Sequence, residues 1–276
     1  MLRVPAIALL LGLGASSTPA GFVELPGRPS RADFNCANYS RTAWTVSVSN
    51  GRLSVDPHRG TEVEDPLPFT YERSGDRAGS RRVVQVDDGW LVGFDAGEFG
   101  GGLWWFDRTG EHSLRVRPPS NAPANKEDVF RAENVQGFAR LGGEVLVFMG
   151  LDHLGGRSGR IFSTTHASGW ALRPFAVLDA SPSAWVIDGQ RLLVFTESGL
   201  WEALPENRTR RVHPLDDIGY LYANSMVQDA DGAVYAGMRR YVLRLRPSPP
   251  GWRETWLVPS DCVQGQVVEL ECRCRP

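Results

Sequence analysis

Lysine is nearly absent from this chain. Lys126 is the only one, and arginine supplies almost all of the 30 basic side chains. That bias points to a GC-rich bacterial genome rather than to a function. Excess charge is missing as well: the formal net charge is −2, so no basic field exists to hold nucleic acid or an anionic membrane surface. No apolar run after residue 20 is long enough to cross a bilayer, which excludes a later membrane span. Catalytic signatures are lacking too. There is no Gly-x-Ser-x-Gly elbow, the loop LGGRSGR lacks a following Gly-Lys-Ser/Thr, and Asp152-His153 is an adjacent pair rather than a triad. His58, His112, His166 and His213 are scattered without ligand spacing.

The first twenty residues stand apart. Met1 to Ala20 has one basic residue (Arg3), an apolar stretch from Ala6 to Leu13, and small residues ending in Thr18-Pro19-Ala20. This is the pattern of a secretory signal peptide, and Gly12 and Gly14 leave the apolar part too short for a membrane anchor. The expectation is a signal peptide over 1–20 and a single domain over 21–276, periplasmic or secreted after cleavage. Cys36, Cys262, Cys272 and Cys274 are an even set near the two ends of that exported domain, which reads as a disulfide framework rather than a metal site. Cys272 and Cys274 are two apart, face one side of a strand, and are poor partners for each other. Cys36 is therefore expected to pair with one of the C-terminal three.

What the chain does contain is one small unit made several times. In AWVIDGQRLLVFTESGLWEAL, short apolar runs of strand length are separated by DGQ and ESG, which supply tight turns. NSMVQDADGAVYAGMRRYVLRL repeats the order. Turn glycines align at Gly51, Gly89, Gly143, Gly189 and Gly232, with steps of 38, 54, 46 and 43 residues. Further strands follow each of the last four: GLWWFDR and HSLRVRP, GRIFSTT and WALRPFAVL, GLWEAL and TRRVHPL, YVLRLRP and RETWLVP. Four strands per unit at this period predict an all-β fold, a β-propeller of five blades. The first copy shows only AWTVSVSN and RLSVDPH before an irregular stretch. Its blade is expected to be completed by the tail strand VVELECRC, so that N- and C-terminal strands close the ring and hide sheet edges. A disulfide across that closure would contribute about 4–5 kcal/mol in the loop-entropy account.

The stretch ANSMVQDADGAVYAGMRRYVLRL resembles the repeats of NHL-type propellers and of the gluconolactonase-like family, and TESGLWEAL is similar to the propeller repeats of bacterial two-component regulators. The resemblance implies a propeller and says little about chemistry, because unrelated functions use that fold. Gluconolactonase-like enzymes hold a divalent metal on the axis. Carried over, that implies Glu133, Asn134 and Asn224 as oxygen ligands for an ion such as calcium. The other inner strands begin with Arg82, Ser183 and Trp44, so that set is incomplete, and no cofactor is the primary expectation.

Counting back from the turn glycines instead places Arg82, Asn134, Gln136, Ser183 and Asn224 at one mouth of the propeller. Their amides, hydroxyl and guanidinium suit hydrogen bonding to a polar ligand. The function expected is binding through that mouth of a small polar ligand, a carbohydrate or a protein. The alternative is a periplasmic hydrolase, lactonase-like or a glycosidase. Trp90, Trp185 and Trp201 are expected to pack between blades. Of Trp104-Trp105, one must leave its own face, to pack on the adjoining blade or to offer a stacking surface.

Overall fold

The computed structural model describes residues 18–58, 66–123, 133–153, 155–166, 169–204, 206, 208–216, 218 and 221–264. Among these residues, five antiparallel sheets follow one another along the chain. The first is the hairpin β2 (Trp44–Ser49) and β3 (Arg52–Pro57). The second comprises β4 (Ser80–Val86), β5 (Gly89–Asp95), β6 (Gly101–Asp107) and β7 (Ser113–Val116). The third comprises β8 (Val135–Leu141), β9 (Glu144–His153), β10 (Gly156–Thr165) and β11 (Ala171–Leu178). The fourth comprises β12 (Ala184–Asp188), β13 (Arg191–Thr196), β14 (Gly199–Leu204) and β15 (Arg208–Pro214). The fifth comprises β16 (Ser225–Gln228), β17 (Val234–Gly237), β18 (Val242–Ser248) and β19 (Gly251–Pro259). Each sheet is a meander in chain order, the arrangement of propeller blades.

Short turns make the meanders. Gly189 has φ 59° and Gly232 φ 79°, as a turn between paired strands demands. Gly89 differs. Asp87 and Asp88 form the turn, Gly89 begins β5, and a Cβ there would collide with the Phe106 carbonyl of the neighbouring strand.

The second strand of each complete blade carries the core. Leu146, Val147, Phe148 and Met149 of β9 are all 0% exposed, as are Leu192, Leu193 and Val194 of β13. Blades stacked face to face bury both sides of such strands, so their sequences are continuous apolar runs rather than alternating ones. Each fully buried Leu, Val or Phe contributes about 1.5–3 kcal/mol relative to exposure. One cluster joins the second and third sheets around Leu91, Val147 and Phe162. Others join the third to the fourth, the fourth to the fifth, and the fifth to the β2–β3 hairpin.

The open face of the second sheet is covered differently. Leu67, Phe69 and Tyr71, from the irregular stretch after β3, pack on Phe94 and Phe106. The Phe69 and Tyr71 rings lie 5.3 and 5.4 Å from that of Phe106. Among the described residues, no apolar cluster joins the hairpin directly to the second sheet.

Two features depart from the all-strand reading of the chain ends. The short strand β1 (Phe22–Glu24) pairs with β19 at the outer edge of the last blade, rather than with the hairpin. Two short helices follow, α1 (Arg31–Ala37) and α2 (Ser260–Gln264). A capping box starts α1: Ser30 Oγ accepts from the Asp33 N–H and the Asp33 carboxylate accepts from the Ser30 N–H. The helix inserts Phe34 against Tyr241 and Trp256, with ring centroids 6.1 and 5.1 Å apart. Neither described cysteine, Cys36 in α1 or Cys262 in α2, is a free thiol. Cys272, Cys274 and the strand expected over VVELECRC lie outside the described residues. No helix among the described residues is long and apolar enough to cross a membrane.

Candidate functional site

The first strands of the four complete blades are the exception to the buried core, because most of their residues are only half buried. They surround a cavity of about 540 Å³, within the range of roughly 300–1,000 Å³ typical of small-molecule sites. Its lining falls into two levels. Arg82, Gln136, Ser183 and Asn224 form a polar level, and the residues two further along each strand, Val84, Phe138, Trp185 and Met226, form an apolar one. Side chains two apart on a strand share a face, so the same register that gathers the first set gathers the second. Arg140, four residues beyond Gln136, adds a second cation.

Four of the five residues expected at the mouth therefore line one cavity. Arg82 donates through Nη1 to its neighbour's carbonyl, Arg81 O, at 3.2 Å. Ser183 Oγ donates to Phe195 O at 3.0 Å. Asn224 Oδ1 accepts from Thr45 Oγ1 at 3.4 Å, and Thr45 Oγ1 lies 2.9 Å from His58 Nδ1. The Asn224 amide nitrogen is buried with no hydrogen-bond partner among the described residues.

Asn134 is the fifth, and it turns away. It is 2% exposed and does not line the cavity. Its Nδ2 lies 2.8 Å from each of Asp95 Oδ1, Gly97 O and Gly100 O, stapling the turn between β5 and β6. The cause is a β-bulge. Val135 pairs with Met149 and Gly137 with Phe148, leaving Gln136 as the extra residue. A bulge re-aims its side chain, so positions 134 and 136 no longer share a face. Gln136 reaches the cavity and donates to Asp95 Oδ2 and Gly150 O, both at 3.0 Å.

The alternative metal ligands are dispersed. Glu133 accepts from Arg115 at 2.9 Å, Asn134 is committed as described, and only Asn224 reaches the cavity. Among the described residues there is no group of three or more His, Cys, Asp or Glu able to hold a metal. The residues lining the cavity fit a divalent cation poorly, because two are cationic and none is acidic. Asp152 accepts from the Ser181 N–H with both oxygens, while His153 Nε2 sits 2.6 Å from the Glu98 carboxylate. The adjacent pair thus serves two different contacts.

Sequence reasoning missed Asp95, which ties Gln136 and Asn134 to the Gly97 N–H. Its only local signal is the Asp-Ala-Gly turn, and its partners lie about forty residues away. The apolar level was equally unmarked. Trp185 does pack between blades, stacked 3.9 Å from Phe148 at 8°, but it also lines the cavity. Its ring lies over Gly137, where a Cβ would come within 2.5 Å. Trp104 and Trp105 face opposite sides as strand neighbours must. Arg77 covers Trp104 at 3.6 Å, and the Trp105 indole donates to Asp88 at 3.2 Å.

No known protein family matches the sequence, and no curated protein matches it either. Solved structures do show a likeness. The extracellular domain of the one-component system BT4673 from B. thetaiotaomicron has 10% identity and a TM-score of 0.45, covering 76% of this chain and 27% of that one. A streptogramin B lyase has 14% identity and a TM-score of 0.40, over 64% of this chain and 54% of that one. The Trypanosoma rangeli sialidase in complex with sialic acid has 13% identity and a TM-score of 0.29, over 81% of this chain and 38% of that one. This chain therefore spans at most about half the length of these proteins. Likeness this remote carries no argument about chemistry.

Proposed function

We propose that this chain is an exported bacterial β-propeller of five blades that binds a small polar ligand in its central cavity. One observation carries the reading: four separate blades bring Arg82, Gln136, Ser183 and Asn224 to a single level of one cavity. Polar groups from four blades around one cavity offer a ligand hydrogen bonds from several directions at once, which favours a polar-ligand site. The hydrolase alternative has less support. General acid–base chemistry on an ester or glycoside needs a carboxylate or histidine at the reacting centre, and none lines this cavity among the described residues.

Replacing Arg82 and Asn224 together by alanine should weaken binding of a ligand found by thermal-shift screening of sugars and small organic acids. The melting temperature without ligand should stay nearly the same. Hits that bind the double variant as tightly as the parent would remove the cavity from consideration.

Export and closure belong to the same reading. Residues 1–20 act as a signal peptide, and Cys36 pairs with one of Cys262, Cys272 and Cys274 as the C-terminal tail completes the β2–β3 blade. The support is that Cys36 and Cys262 are not free thiols and that the helices carrying them adjoin the last blade. N-terminal sequencing of periplasmic protein and non-reducing peptide mapping test these two points. An uncleaved N-terminus, or an unpaired Cys36 in oxidised protein, contradicts them.

A further inference from the structure

A second cavity, of about 430 Å³, lies at the edge of the last blade and shares no described lining residue with the central one. It is enclosed by the segment after β1, the start of α1, the turn between β17 and β18, and the end of β19 with α2. One polar group in its wall has no counterpart. Arg240 is 9% exposed, its Nη1 is buried without a hydrogen-bond partner, and no carboxylate among the described residues forms an ion pair with it. The Tyr241 ring centroid, 5.6 Å from the guanidinium carbon, adds only a weak cation–π contact. The other charged groups of the wall are committed. Arg28 donates to Asp216 O at 2.6 Å and lies 3.7 Å from the Glu254 carboxylate, and Asp33 is spent on Ser30 at the cap of α1. One unmatched positive charge therefore stands in this wall, and a buried charge without a counter-charge is costly to keep. The backbone holds it there. Arg240 has φ 62°, a conformation that side chains rarely adopt, and its N–H and carbonyl are fixed by Thr42 O and the Trp44 indole at 2.9 and 3.1 Å.

We propose that this second cavity binds a small monoanionic carboxylate, with the carboxylate on Arg240 and an apolar body against Leu25, Pro29 and Val258. The site is separate from the central cavity and goes beyond the function proposed for it. With Nη1 sealed, Nε and Nη2 are left to take a ligand, and these two donate parallel N–H bonds that match the two oxygens of a carboxylate. One charge answers one charge. A dianion would leave its second charge unmatched among apolar walls, and a neutral ligand would leave Arg240 as it is. Leu25, Pro26, Pro29 and Val258 offer hydrocarbon surface to the rest of the molecule.

The test compares benzoate, benzamide and sulfate by calorimetric titration of the mature protein. Benzoate should bind at least about tenfold more tightly than benzamide, the difference a charge-assisted hydrogen bond makes, and more tightly than sulfate. Arg240→Met keeps the apolar stem and removes the charge, so it should abolish the preference for benzoate over benzamide. Gly27→Trp tests the site without touching Arg240. A Cβ at Gly27, which lines the cavity, meets nothing within 4 Å, so the ring has room to fill the space and benzoate binding should be lost. If Arg240→Met fails to fold, Gly27→Trp carries the test. Equal binding of benzoate and benzamide, or tighter binding of sulfate, overturns the ligand class. Benzoate binding that survives Gly27→Trp, or a preference that survives Arg240→Met, overturns the site. No binding of benzoate overturns the proposal and leaves the central cavity untouched.

Discussion

Two adjacent strands of the same blade, β8 and β9, do opposite work. In β9, Leu146 to Met149 are wholly buried and apolar, pressed between neighbouring blades. In β8, one strand nearer the cavity, half-buried Gln136 and Phe138 and exposed Arg140 line open space and the ladder is interrupted by a bulge. The pattern recurs in β12 beside β13 and in β4 beside β5. The second strand holds the blade together, and the first is thereby free to carry polar groups that contribute little to stability. A β-propeller separates folding from chemistry by strand position, and that separation can be attacked from either side.

The largest effect should come from the second strand. Phe148→Ala removes a fully buried ring and its stack with Trp185, and should cost about 3–5 kcal/mol in chemical denaturation. A loss below 1 kcal/mol would mean that the interblade core is not where the stability lies. Next comes the residue that belongs to the inner strand by sequence and to the core by geometry. Asn134→Ala leaves Asp95 and two carbonyls without their shared donor, and should cost about 1–3 kcal/mol. The same change at Asn224, whose amide nitrogen has no partner among the described residues, should cost clearly less; equal losses would break the distinction drawn by the bulge.

A smaller effect concerns pH at the outer half of a blade. Burial raises the Glu202 pKa, but hydrogen bonds from Arg210 and Arg191 outweigh it and hold the carboxyl below its usual 4.5. A group lowered on folding stabilises fully above its unfolded pKa, and that stability is lost as pH falls through the folded value. Glu202→Gln should therefore differ most from the parent at neutral pH and converge with it below about pH 4.5 in melting experiments. A difference that widens on acidification would reverse the assignment. The smallest effect should be Arg82→Ala, within about 0.5 kcal/mol of the parent without ligand.

Much of this was legible because turns and periodicity are local. The turn glycines and the strands between them could be read from the chain. So could the level of Arg82, Ser183 and Asn224, because counting along strands of period two preserves a face. Asn134 failed the same count because an extra residue in β8 flips the register, and a bulge leaves no fixed mark in sequence. The helix at 31–37 was missed since seven residues are too few to show a helical period, although Ser30 and Asp33 spell its cap. The strand at 22–24 was too short to distinguish from a linker. Asp95 became visible only when its partners, distant in sequence, were brought beside it.

The most direct test is a crystal structure of the mature protein with the tightest binder from the thermal-shift screen at saturating concentration. The account predicts density between the four inner strands, in contact with Arg82, Gln136, Ser183 and Asn224. Density on a blade flank, or an empty cavity in protein that solution titration shows to be saturated, would contradict it.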